Sequence, residues 1–577
     1  MARKRILLGV AAGFGLATAL SAQPVRQRLW ARLLQLPPAQ HRIALEADIA
    51  VPMADGARLL TDHYAPQTPG TFPTILIRTP YGKRREAGIN GLMWGIFAAR
   101  MAERGYHVVV QLTRGRFASG GSFDPLVHEA ADGLATLEWM RQQPWFDGRL
   151  GTWGPSYLGY VQWALAAAAP PELRAMVPIV TGAQLGSLTH LDSAFGLDTL
   201  LAWATLTSTQ GGEVQPNPSW LDIVRGMFQL PGQLARGFRH LPLGEADAQA
   251  IGRTVGFYQD WLHHTDLRAP YWQQRDHTAN VAATSAPAHF LSGWYDLIQR
   301  ELLADYLAQR AAGRTPFLTI GPWPHTDPQL LLTALQVGIA WFNQQLKGEA
   351  PEPRQPVQLF VMGEQAWRGY ASWPPPATTT SFFLHALGAL SRAQPDAAPP
   401  SRYRYDPSDP TPALGGARLV GDASGPRDQR PLEARADVLC YTSAALEHDL
   451  DVIGPVRLML YVRSSLEHTD FLGRLCDVYP DGRSINICDG LVRLVPGSGE
   501  RQPDGSLRIE IGLWNIAVRF RRGHCIRLHV ASGAHPRWSR NLGYGDPLAD
   551  ATRARAADQT VYHDAAHPSA LLLPTIA

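Results

Sequence analysis

Short apolar runs, each closing in a loop, recur through the first half of the chain. Pro73–Thr79, Tyr106–Leu112, Leu150–Trp153, Leu173–Val180, His289–Trp294 and Pro316–Ile320 have the length of strands. Runs without polar alternation fit strands buried on both faces. Helix-like stretches such as Ala130–Gln143 and Leu297–Ala311 lie between several of them. Strands alternating with helices predict a parallel, doubly wound sheet. Ahead of these runs, His41 to Pro66 reads as two strands joined at Asp55-Gly56, a hairpin-type turn.

The alternation breaks between about Gly186 and Ser285, a segment rich in Leu, Trp, Gln and His. Inserted between strands of the sheet, it is expected to form a helical cap over the C-terminal strand edge. After about residue 350 the pattern changes again. Trp373-Pro374-Pro375-Pro376 and Ala393–Pro400 are loop-forming, and short β-rich runs follow: Val438–Thr442, Val456–Val462, Phe471–Val478, Ile485–Cys488, Leu507–Ile511 and Cys525–Val530. Turn signals at Pro480-Asp481-Gly482 and Pro503-Asp504-Gly505 separate some of them. This spacing predicts a β-sandwich or jelly roll. The expected organisation is therefore an α/β domain over residues 40–350 with its cap at about 186–285, then an all-β domain over 355–577.

Composition narrows the class. The chain has 577 residues, more than one core organises. Hydrophobic residues make up 45% and the mean hydropathy is −0.15, as in a soluble globular protein. The 53 basic and 50 acidic residues leave a charge of +3, and no basic stripe is interleaved with aromatics, which argues against nucleic acid as a partner. Seventeen tryptophans fit a large core or an aromatic-lined pocket. The four cysteines, Cys440, Cys476, Cys488 and Cys525, all fall in the last quarter. They exclude a thiol nucleophile or a cysteine metal site before residue 440, and their spacing is not that of a zinc site. Disulfides and buried free thiols both remain open. No metal, nucleotide or redox cofactor is implied.

At the N-terminus, Arg3-Lys4-Arg5 precedes an uncharged apolar run from Ile6 to Ala22, with Ala17-Thr18-Ala19 as a small-residue cleavage site. Residues 1–25 read as a secretory signal, which makes the protein exported, periplasmic or secreted. The alternative is an uncleaved membrane anchor, for which the run is slightly short of the usual ~20 residues.

Chemistry enters at Gly154-Pro155-Ser156-Tyr157-Leu158-Gly159, between the run ending at Trp153 and the helix-like stretch Tyr157–Ala169. A serine in a tight strand-to-helix turn is how an α/β-hydrolase presents its nucleophile, here Ser156. A Gly-Pro-Ser turn without chemistry has the same look, so the other strand ends decide. The run Phe290–Tyr295 delivers Asp296, and the run Phe317–Pro324 delivers His325. Ser, Asp, His is the chain order of that fold class. His325 supplies the base that a serine hydroxyl needs, and Asp296 orients the imidazole. Asp327, two residues past His325, is a rival for the acid.

These motifs carry a resemblance. The chain from about Arg42 to Leu572 resembles the CocE/NonD family of serine hydrolases, the cocaine esterase and X-Pro dipeptidyl-peptidase group. Val51–Gly56 resembles the family's opening hairpin, Arg78-Thr79-Pro80-Tyr81 its oxyanion loop, and Thr113-Arg114-Gly115 with Ser119-Gly120-Gly121 a following loop. Gly154–Gly159, Gly293-Trp294-Tyr295-Asp296 and Gly321–His325 resemble the nucleophile, acid and base segments. Asp437–Leu439, Phe471–Gly482 and Pro536–Gly543 are similar to the family's C-terminal jelly roll. The resemblance implies the triad Ser156, Asp296 and His325, and an oxyanion hole made by the Tyr81 hydroxyl and the backbone N–H of Tyr157. One place departs from it: Leu112 stands where relatives often carry an acid near Arg114, so Arg114 reads as a loop-ordering cation of unknown partner.

The expected activity is hydrolysis of a small-molecule carboxylic ester, or an amide, through an acyl-enzyme. An X-Pro dipeptidyl-peptidase or an α-amino-acid ester hydrolase or acylase is the enzymatic alternative. Either needs carboxylates to receive a free amine. Glu301 and Asp305 follow the acid but read as the outer face of a helix. A binding protein with a disabled hydrolase fold is the non-enzymatic alternative, against which the complete Ser-Asp-His set argues. The oligomeric state is not encoded in any pattern found.

Overall fold

The computed structural model describes residues 23–84, 88–191, 194–209, 220–350, 353–419 and 424–576. Residues 1–22, which carry nearly all of the expected signal or anchor, lie outside the described residues. Among the described residues no helix is long and apolar enough to cross a membrane.

The strands of the first half are β1 (Ile43–Pro52), β2 (Arg58–Pro66), β3 (Thr74–Thr79), β4 (His107–Leu112), β5 (Leu150–Pro155) and β6 (Leu173–Ile179). A small hairpin, β7 (His190–Leu191) and β8 (Ala194–Phe195), precedes β9 (His289–Tyr295), β10 (Phe317–Pro324), β11 (Val357–Val361) and β12 (Ala366–Tyr370). Ten of them form one sheet in the order β1-β2-β4-β3-β5-β6-β9-β10-β11-β12. Neighbours from β4 across to β11 are parallel, and the outer pairs are antiparallel.

The central strands β3, β4, β5 and β9 are buried along their whole length, as their largely apolar sequences predict. Alternate residues feed two cores. Ile75, Ile77, Val108, Val110 and Trp153 face one side, under the helices Gly88–Ala102 and Pro328–Lys347. Leu76, Val109 and Phe290 face the other, under Glu129–Arg141, Tyr157–Ala166 and Gln299–Ala311.

The sheet continues past the expected domain boundary. β11 pairs in parallel with β10 and antiparallel with β12, so the first sheet extends through residues 357–370. The alternating burial of β11 is compatible with either sheet, and only the open edge of β10 selects one.

The cap between β6 and β9 is helical as expected, built mainly on Leu197–Thr209, Trp220–Arg239, Ala246–Ile251 and Gly256–His263, with the β7–β8 hairpin as its one strand pair among the described residues. The C-terminal region, from Thr378–Leu384 to Ala570–Ile576, forms a 12-stranded, mostly antiparallel sheet closed over an apolar core that includes Leu460, Leu475, Ile511 and Leu528. The final strand Ala570–Ile576 is not at an edge. It pairs with Thr378–Leu384 on one side and with Leu450–Ser464 on the other. All four cysteines are free, and burial raises the thiol pKa of Cys476 and Cys488.

Candidate active site

Strand β5 ends in Pro155, and Ser156 follows with φ 58° and ψ −124°, a conformation that costs a non-glycine residue about 1–3 kcal/mol. The surroundings hold it there. The Ser156 N–H donates to Ile179 O at 2.9 Å, and its carbonyl accepts from Thr181 Oγ1 at 2.8 Å. Both glycines of the motif answer to packing. A Cβ on Gly154 would stand 2.4 Å from Leu158 Cβ, and one on Gly159 would stand 2.3 Å from Thr181 Cγ2. The second glycine sits at 159 because there the helix Tyr157–Ala166 passes against Thr181.

Two strands further across the sheet, the adjacent parallel strands β9 and β10 end at Tyr295 and Pro324 and place Asp296 and His325 side by side. His325 Nδ1 lies 2.5 Å from Asp296 Oδ2. The other carboxylate oxygen, Oδ1, accepts from the Ile298 N–H at 2.8 Å, and Asp296 is fully buried. A Cβ on Gly293 would meet Trp323 O at 2.0 Å, which fixes glycine beside the backbone that leads into the base loop. The rival acid Asp327 is elsewhere in role: it caps the helix Pro328–Lys347, accepting from Gln329 N at 2.8 Å.

The acid loop is fastened to the β domain. Tyr295 donates its hydroxyl to Asn486 O at 3.0 Å, and Gln299 Nε2 donates to Asn515 O at 3.1 Å.

Tyr81 stands past the end of β3. Its N–H donates to Thr79 Oγ1 at 3.0 Å, and Arg116 Nε holds the preceding Pro80 carbonyl at 2.9 Å. The phenol stands beside Ser156, and burial raises its pKa, so it stays protonated at neutral pH. Trp203 Nε1, from the cap, donates to Tyr81 Oη at 2.8 Å. An indole N–H can only donate, so it occupies a lone pair of the phenol and leaves the O–H proton to be given toward Ser156. Tyr157 begins the helix, where its N–H has no intrahelical acceptor. Its own phenol is tied away from the site, donating to the buried Glu129 at 2.7 Å. Burial raises the Glu129 pKa, and Arg78 lies 3.1 Å from the same carboxyl.

Tyr81, Ser156 and His325 open on one cavity of about 70 Å³. Its walls are Leu185, Leu188, Trp203 and Trp261 of the cap region, Ile298 behind the acid, and Leu419 from the C-terminal side. No aspartate or glutamate lines it among the described residues.

Arg114 has partners that the motif did not show: Asp132 at 2.6 Å and Asp55 at 2.6 Å. It ties the β1–β2 turn to the helix Glu129–Arg141. Trp203 and Arg116 are the residues that sequence reasoning missed. Neither carries a motif signal, and Trp203 reaches Tyr81 only because the cap folds down.

Glu301 and Asp305 correct an expectation. They do not face outward; both are buried, because the helix Gln299–Ala311 is covered by the sheet on one side and by the cap loop on the other. Glu301 accepts from Ser187 Oγ at 2.7 Å and Asp305 from Ala183 N at 2.7 Å. Neither lines the cavity. Burial raises the pKa of both, that of Asp305 well above the usual carboxylate range. A raised carboxyl pKa gives stability that is full at acid pH and lost as pH climbs through the folded value. Asp305→Asn keeps an acceptor for Ala183 and removes the ionisation. Relative to the parent its stability is therefore expected to rise with pH between the ordinary carboxylate pKa and the raised folded value, by up to about 1.4 kcal/mol per pH unit, and to level off above it; Tm measured from pH 4 to pH 9 checks this. A constant Tm difference across that range removes the assignment.

This geometry has known relatives. Residues 55–327 match the model of the X-Pro dipeptidyl-peptidase (S15) family, and residues 350–572 match the X-Pro dipeptidyl-peptidase C-terminal non-catalytic domain. The cocaine esterase of Rhodococcus sp. is 32% identical over 582 residues, covering 92% of this chain and 99% of its own. Among solved structures, an aminopeptidase from a marine sediment Thaumarchaeota archaeon superposes with a TM-score of 0.78 at 22% identity, over 93% of this chain and 97% of its own. An α-amino acid ester hydrolase follows with a TM-score of 0.77 at 22% identity, over the same shares. The chain belongs to the CocE/NonD family of serine hydrolases, an α/β-hydrolase domain joined to an all-β C-terminal domain.

Proposed function

We propose that this protein hydrolyses esters of apolar carboxylic acids by double displacement on Ser156. The Ser156 hydroxyl attacks the ester carbonyl while His325 takes its proton, and Asp296 holds the imidazole with Nδ1–H toward its carboxylate. The oxyanion receives the Tyr81 hydroxyl and the Tyr157 N–H. Collapse of the tetrahedral intermediate expels the alcohol, protonated by His325, and leaves the acyl group on Ser156. Water then attacks the acyl carbonyl through the same base and releases the acid.

The observation that supports the ester reading is the cavity onto which Ser156 and His325 open: its wall is mainly leucine, isoleucine and tryptophan, and among the described residues no carboxylate lines it to receive a substrate amine. A peptidase recognising a free amino terminus needs that carboxylate. Hydrolysis of nitrophenyl butyrate beside an Ala-Pro nitroanilide tests this. Ester turnover is expected, with the nitroanilide at least about 10³-fold poorer. Comparable nitroanilide turnover would overturn the ester reading in favour of an X-Pro dipeptidyl-peptidase.

The oxyanion assignment carries its own test. Tyr81→Phe is expected to lower kcat by about 10²–10³ with little change in KM. Trp203→Phe, acting through Tyr81, is expected to lower kcat less. The double variant should be no slower than Tyr81→Phe alone. Additive losses would mean that Trp203 serves the cavity wall and not the phenol.

Export is also proposed, on the strength of Arg3-Lys4-Arg5 and the apolar run Ile6–Ala22. Mature protein beginning just after Ala19 supports it; an intact N-terminus on cytosolic protein overturns it.

A further inference from the structure

A second cavity, of about 370 Å³, lies between the cap and the β domain. It stands behind the catalytic pocket, with one thin wall between them. Thr189, Thr199 and Leu200 face the catalytic pocket, while His190, Phe195 and Leu197 of the same segment face the second cavity. The wall is thus the β7–β8 hairpin and the first turn of the helix Leu197–Thr209.

Most of this lining is hydrocarbon, supplied by Phe195, Leu197 and Leu243 from the cap side and by Leu542 and Leu548 from the other. The charges in it are unequally matched. Arg493 is neutralised by Asp470 at 2.8 Å, and Asp546 by Arg553 at 2.8 Å. Arg540 differs. Its Nη2 donates to Arg239 O at 2.8 Å, and no carboxylate among the described residues pairs with it. Burial disfavours its charge, lowering its pKa. A half-buried cation without a counter-charge, at the edge of an apolar cavity, is a group whose desolvation an anion would offset. The guanidinium fork fits a planar carboxylate with two parallel hydrogen bonds. The hydrocarbon walls fit the body attached to it.

We infer that this cavity is a binding site for small apolar monocarboxylates, which place the carboxylate on Arg540 and the hydrocarbon against Phe195, Leu243 and Leu542. The inference does not depend on the reaction assigned to Ser156. Neither the hydrolase motifs nor the catalytic geometry requires the site.

Calorimetric titration with octanoate, and with octanamide as its neutral counterpart, tests it on the full-length protein. Octanoate is expected to bind at one site at least about ten-fold more tightly than octanamide, because the pair with Arg540 is charge-assisted. Arg540→Gln should erase that preference. Val495 sits on the rim and is 47% exposed, so Val495→Trp can plug the cavity without disturbing the core. It should weaken both ligands at least about ten-fold. Octanoate binding unchanged in both variants would put the ligand elsewhere and overturn the inference. So would equal affinity for octanoate and octanamide, or no binding at millimolar concentration.

Discussion

Ser156→Ala is expected to lower kcat for a nitrophenyl ester by about 10⁶, with far-UV circular dichroism and Tm unchanged. The variant removes only the oxygen that attacks. Alanine keeps the Cβ, and the backbone at φ 58° is held by Ile179 O and Thr181 Oγ1, neither of which touches the side chain. An active-site phosphonate should add its mass to the parent protein at Ser156 and not to the variant. Residual turnover above about one per cent would remove Ser156 from the mechanism, because removing the nucleophile of a triad leaves only binding and the oxyanion hole to act.

Asp296→Asn is expected to lower kcat by about 10⁴ while leaving KM close to its parent value. The direction follows from the two hydrogen bonds of the carboxylate. Oδ1 accepts from the Ile298 N–H at 2.8 Å, so an asparagine keeps its oxygen there and turns its NH₂ toward His325 Nδ1. Nδ1 must then accept, the ring proton moves to Nε2, and the nitrogen that should take the Ser156 proton already holds one. Steady-state rates on the same ester check this. A loss below about tenfold would show that the tautomer is set by another group.

The candidate set Ser156, Asp296 and His325 was legible because each member follows the end of a buried strand. Continuous apolar runs fix where β5, β9 and β10 end, and strand ends in a parallel sheet meet at one edge. The resemblance added Tyr81, which no local pattern distinguishes from a packed turn aromatic. What local sequence could not carry is contact made across long separations. Trp203 touches Tyr81 through a cap whose helices are ordinary in composition. Arg114 finds Asp55 and Asp132 only when the hairpin folds back. Glu301 and Asp305 look like solvent positions because helical periodicity assumes one buried face, whereas the helix Gln299–Ala311 buries residues around most of its circumference. That β11 and β12 join the first sheet was not legible, because an alternating strand does not say which sheet has the free edge.

The position of the last strand bears on how the enzyme comes into being. Asp296 stands on a loop that Tyr295 and Gln299 fasten to Asn486 and Asn515, and the sheet that carries those residues is closed by Ala570–Ile576, wedged between two earlier strands. A nascent chain that has completed every strand of the first sheet still lacks the surface against which its acid loop is set. The acid loop is therefore expected to be set only once Ala570–Ile576 has joined that sheet. A chain cut before Ala570 is expected to be silent toward a nitrophenyl ester, with its nucleophile turn already in place.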